Sequence, residues 1–183
     1  MLGERGASAI EAALVTPVVI ALLFGIIELG FVFKDYLAVA GAVRSGVRIA
    51  SANPRTSTFA QIAANNVAST GGAMNFNDVQ QLWVYKVEPL TDKPIGFTDF
   101  SDCTICVKFH WVASSRSFVV TPGSDNWSAS TQYACSAPPG PDRIGVYLQL
   151  KHNAFTKLVF SSVNIAEASI LTLEPMPVLS GCK

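Results

Sequence analysis

The sequence predicts an α+β fold: a long N-terminal transmembrane helix running into a small antiparallel sheet domain. Three observations carry this. Residues 6–33 are almost wholly apolar, and 12–27 hold no charge at all. Helical periodicity then continues to Asn53-Pro54. Beyond it come short alternating runs separated by turn-rich stretches, the pattern of a half-buried sheet.

The apolar run is long enough to cross ~30 Å of hydrocarbon, which takes about 20 residues. A helix that is hydrophobic all round belongs in lipid or in the core of a large protein, and this chain has 183 residues. A cleaved signal peptide has a shorter apolar region. Here Lys34-Asp35 also separate the run from the small-residue triplet Ala38-Val39-Ala40. Pro17 removes one helical hydrogen bond and is expected to bend the helix. Gly25 and Gly30 offer small surfaces to an approaching helix. Past Phe33, Tyr36, Ala40, Val43, Val47 and Ala50 form an apolar stripe, with Arg44 and Arg48 together on another face. Asn53-Pro54 ends the pattern, because the residue before proline resists helical geometry. A helix over 7–51 would be about 65–70 Å long at ~1.5 Å per residue.

The remaining chain, 54–183, has the composition of one small domain. Thr58 followed by Gln61 has the capping-box spacing and predicts a helix over 58–70, closed by Gly71-Gly72. Strands are expected at 82–88, 106–112, 144–150 and 163–174. On the first, Trp83, Tyr85 and Val87 share a face; on the second, Val107, Phe109 and Trp111 oppose Lys108 and His110. Residues 89–103, 121–126 and 136–143 read as turns. The result is a sheet of about four strands with a helix packed on one face.

Zero formal charge gives no sign of a nucleic-acid partner. Metalloprotease, nucleophile-elbow, phosphate-loop and dinucleotide motifs are all missing from the sequence. We therefore expect no enzyme, no cofactor, no metal and no small-molecule substrate. Asp99 and Asp102 lie three apart in a loop, short of the 6–8 oxygens a calcium ion takes. His110 and His152 are the two histidines, each read as a packed or surface residue.

Four cysteines, Cys103, Cys106, Cys135 and Cys182, all follow the anchor. They are expected to form disulfides if that side is oxidising. Three pairings satisfy the count. The expectation taken is two long-range bridges, Cys106–Cys135 and Cys103–Cys182, over a direct Cys103–Cys106 bond. A redox pair or half a zinc site at Cys103-Thr104-Ile105-Cys106 lacks the accompanying βαβ unit or second ligand pair.

Two acids interrupt the apolar stretch, Glu11 and Glu28. A carboxylate deep in a bilayer costs about 2.5–3.5 kcal/mol, and near an end it reaches water instead. Gly6-Ala7-Ser8-Ala9-Ile10-Glu11 resembles the processing site of type IV pilin-like proteins. Arg5-Gly6, Glu11-Ala12-Ala13-Leu14-Val15, Pro17, Gly25-Ile26-Ile27-Glu28-Leu29-Gly30 and Val43-Arg44-Ser45-Gly46-Val47-Arg48 resemble the TadE-like pseudopilins of tight-adherence (Flp) pili. The likeness is dense over 5–50 and returns weakly in the last strands and at Leu173-Glu174-Pro175.

The resemblance implies a pilin-like plan. Residues 1–6 would be a leader, 7–53 the transmembrane and projecting helix, and 54–183 an extracytoplasmic domain. A prepilin peptidase would cut between Gly6 and Ala7 on the cytoplasmic side of a bacterial membrane. Glu11 would pair with the Ala7 amine of a neighbouring pilin or pseudopilin, and Glu28 would meet a neighbouring helix or Lys34. The function implied is that of a minor pseudopilin of a tight-adherence pilus or type II secretion-like assembly, with its assembly platform as partner. The alternative is a membrane-tethered binding module whose helix is only an anchor. Charges flanking the helix do not settle which side faces out; the resemblance places the domain outside.

Overall fold

The computed structural model describes residues 3–157 and 160–177, with the backbone alone for 3–7. Helix α1 runs unbroken over Gly3–Ser51, 49 residues, about 70 Å at ~1.5 Å per residue. It continues through Pro17, one residue after Thr16, whose hydroxyl donates to the Ala12 carbonyl at 2.6 Å. Proline has no N–H to give the Ala13 carbonyl, a loss that membrane helices tolerate.

Helix α2, Phe59–Thr70, packs directly on α1 through Phe59, Ala60, Ala63, Ala64 and Val67. Gly46 permits the close approach: a Cβ there would stand 2.7 Å from Val67 Cγ2 and 3.4 Å from the Ala63 carbonyl. The expected Thr58–Gln61 capping box does not form. Thr58 makes no side-chain cap bond. The Gln61 amide instead donates to Asn65 Oδ1 and to the Phe118 carbonyl, each at 2.9 Å, which ties α2 to the sheet.

Five strands form one antiparallel sheet: β1 Val79–Lys86, β2 Cys106–Val112, β3 Ser117–Asp125, β4 Arg143–Asn153 and β5 Ser162–Thr172. Their order is β3-β2-β1-β4-β5. Four of them, β1, β2, β4 and β5, fall within a few residues of the strands expected from sequence. Strand β3 corrects that reading, since it includes the Thr121-Pro122-Gly123-Ser124 stretch taken as a turn. The pairing of β2 with β3 slips between Val107 and Phe109, and Gly123 takes φ +77°. An edge strand with a bulge tolerates proline and glycine that an inner strand would not.

One sheet face carries the main core. Leu82 and Val84 of β1, Val107 and Phe109 of β2, and Ile144, Val146, Leu148 and Leu150 of β4 meet α2 and the α1 residues Val39, Val43 and Val47. Trp127, 1% exposed, closes one end edge-to-face on Phe59. The opposite face holds Trp83, Tyr85, Val87 and Tyr147. The loop between β1 and β2 covers it, and Phe100 stacks on Tyr147 with ring centroids 4.1 Å apart.

Candidate functional site

Along α1, residues 8–27 face outward with no protein cover, apart from half-buried Gly25. The segment containing them has the length and composition of a membrane span, with mean hydropathy 2.4 in its most apolar window. Among the described side chains of the helix, the first two that are buried are both acids, Glu28 and Asp35. Seven residues apart, they lie two turns from each other on one helical face. That face meets the end of β4 and the loop that follows it.

Glu28 is 1% exposed. Its Oε1 accepts the Phe155 backbone N–H at 2.6 Å; its Oε2 accepts the Thr156 N–H at 3.1 Å and hydroxyl at 3.0 Å. Three donors on one carboxylate satisfy it without a counter-ion, because bonds to a charged acceptor are the strong ones. Asp35 Oδ2 lies 2.7 Å from His152 Nδ1, and its Oδ1 lies 2.9 Å from Lys34 Nζ. Lys34 therefore neutralises Asp35 rather than Glu28. Both acids join the helix to the β4–β5 hairpin. Sequence reasoning missed Asp35 and His152 as a pair. The signal was the heptad Glu28, Asp35, Ala42, whose last member is fully buried in the core.

Glu11 is different. It is exposed on the uncovered part of α1. No hydrogen bond or ion pair among the described residues reaches it. Gly6 and Ala7 lie in the first turns of the same helix.

The cysteines also depart from expectation. Cys103 and Cys106 are bonded to each other, with Cα atoms 6.0 Å apart. Neither of the long-range bridges expected from sequence is then possible. The bond joins the start of β2 to the loop over the aromatic face, so its two ends were already adjacent. Cys135 is not a free thiol, and Cys182 lies outside the described residues. Both Cys103 and Cys106 are buried, which suits a structural link.

The loop acids are engaged by neighbours. Asp102 accepts the Lys108 ammonium and the Cys103 N–H. The hydrogen bond from Lys108 holds its carboxyl below the usual range. Asp99 accepts the Ser101 N–H at 2.9 Å. No group of three or more potential metal ligands gathers among the described residues. A cleft of about 520 Å³ opens beside Arg55, Phe59, Gln61, Asp125 and Trp127. Histidine and cysteine are missing from its lining.

Residues 6–48 match the model of the TadE-like protein family. The matched segment lies within helix α1 and includes Gly6, Glu11, Glu28 and Gly46. No curated protein and no solved structure matches the chain.

Proposed function

We propose that this chain, TadE-like over residues 6–48, is a minor pseudopilin of a tight-adherence pilus or a related type II secretion-like assembly. Its N-terminus lies on the cytoplasmic side of a bacterial membrane, α1 crosses the bilayer once, and the sheet domain stands outside. Residues 1–6 are a leader, and a prepilin peptidase hydrolyses the Gly6–Ala7 peptide bond. Water adds across that bond, leaving a carboxylate on Gly6 and a free amine on Ala7.

The observation that carries this reading is the contrast between the two acids. Glu28 has its hydrogen bonds filled within the chain, whereas Glu11 stands exposed on the uncovered apolar helix. An isolated carboxylate in lipid is costly and a paired one much less so. Glu11 takes the Ala7 amine of an adjacent subunit and so fixes the register in which helices pack. Gly30 adds an open surface for such packing, since a Cβ there would meet nothing within 4 Å. Glu28 supports assembly indirectly, by holding the sheet domain at a set height on the helix. The partners are other pilin or pseudopilin subunits and the assembly platform.

N-terminal sequencing of the protein from its native membrane tests the reading. A mature chain starting at Ala7, and loss of that product in Gly6→Arg, are expected. A tethered binding module needs neither, so Met1 retained in the assembled protein would favour that alternative.

A further inference from the structure

Beyond assembly, we propose that the β4–β5 loop, through Phe155, is a second membrane contact that seats the sheet domain on the outer surface of the bilayer. The proposal rests on the reading of α1 as a membrane span.

The geometry leaves the loop little choice of height. The uncharged stretch of α1 ends at Ile27, and the next side chain, Glu28, is bonded to the Phe155 and Thr156 amides. The loop is thus pinned beside the point where the helix leaves hydrocarbon. From Ser8 to Ile27 the helix rises about 30 Å, matching the hydrocarbon thickness. Glu28 then lies at the outer boundary, and so does Phe155.

The side chain at that point is apolar and uncovered. Phe155 is 83% exposed, although its own amide is held by a buried carboxylate. The α1 side chains at the same level, Ile27, Leu29 and Phe31, are likewise exposed. Among the described residues nothing covers them, so the phenyl ring and this helix surface meet the same medium. Aromatic rings favour the headgroup boundary, and insertion there removes a large apolar surface from water. Exposed Lys157 follows two residues on, at φ +56°, and a cation at this depth suits anionic headgroups. The partner is a phospholipid surface, engaged by an apolar ring with a neighbouring ammonium. With α1 already anchored, this second point restricts tilt of the domain about the helix exit.

Leu90 supplies an internal comparison. It is 93% exposed and adjoins Pro89, whose carbonyl accepts from Arg143 at the start of β4. Phe155 follows the other end of that 11-residue strand, about 33 Å away at ~3.3 Å per residue.

The test uses the full-length protein in vesicles of phosphatidylethanolamine and phosphatidylglycerol, with and without bromine on the upper acyl chain. Fluorescence of Phe155→Trp and of Leu90→Trp is read as the difference from the parent protein. For Phe155→Trp the added emission should shift to the blue and be lost in brominated lipid at every protein-to-lipid ratio. For Leu90→Trp it should stay solvent-like and unquenched. Water-exposed, unquenched emission from Phe155→Trp in vesicles that carry the protein on flotation overturns the proposal and leaves the span intact. Protein that does not float with the vesicles removes the span, and the loop contact with it. Protection that appears only when protein is crowded assigns the loop to a second copy of the chain and overturns the lipid contact.

Discussion

Glu28 and Thr156, 128 residues apart in sequence, are joined twice: the Glu28 carboxylate accepts the Thr156 N–H at 3.1 Å and its hydroxyl at 3.0 Å. With the Phe155 amide, this makes Glu28 the acceptor for two consecutive amides of the β4–β5 loop. An acid inside an apolar helix is thereby explained without any second chain.

Glu28→Ala removes the carboxylate that accepts the Phe155 and Thr156 N–H groups in a part-buried site. The expected loss is about 1–3 kcal/mol of stability. Hydrogen exchange of the detergent-solubilised protein should localise the change to amides 154–157. Uniform protection in parent and variant would show that Glu28 does not hold the loop.

The aromatic face makes stability depend on alkaline pH. Burial pushes the Tyr85 phenol up, and the nearby Asp92 carboxylate adds to the effect. Burial raises Tyr147 as well. The unfolded chain releases these protons near pH ~10, where the folded chain still holds them. Their contribution is fully present below about pH 10 and is lost as pH rises toward the folded values. Tyr85→Phe should therefore flatten the fall in melting temperature above about pH 10. Equal slopes in parent and variant would contradict this.

The Cys103–Cys106 bond closes a very short loop, so its effect on the unfolded chain is small, about 2 kcal/mol. Cys103→Ser should cost no more than that and should loosen the loop carrying Phe100. Non-reducing peptide mapping should return Cys103 and Cys106 linked to each other. Either one found on a peptide with Cys135 would refute the pairing.

Much of the fold was legible because periodicity survives wherever burial is one-sided. Val107, Phe109 and Trp111 alternate on β2, and Ile144 to Leu150 alternate on β4, so both strands could be read directly. Strand β3 was hidden by Thr121-Pro122-Gly123-Ser124, since at a bulged edge the sequence carries turn chemistry while the backbone still pairs. The capping box fails because the Gln61 amide is turned to donate to the Phe118 carbonyl, a tertiary partner that local spacing does not reveal. The acids divide in the same way. Glu11 was singled out by its spacing from Gly6 alone. The Glu28 donors and the His152 partner of Asp35 lie more than a hundred residues downstream, and only the folded hairpin brings them to the helix.

The central claim is that Glu11 and Glu28 do different work on one helix, the first between subunits and the second within the chain. The most direct measurement is co-purification of Glu11→Ala from its native membranes, with the melting temperature of the purified variant as the control. We expect the variant in the membrane, melting as the parent does, but depleted from its pilin partners. Full recovery of those partners with Glu11→Ala would contradict the account.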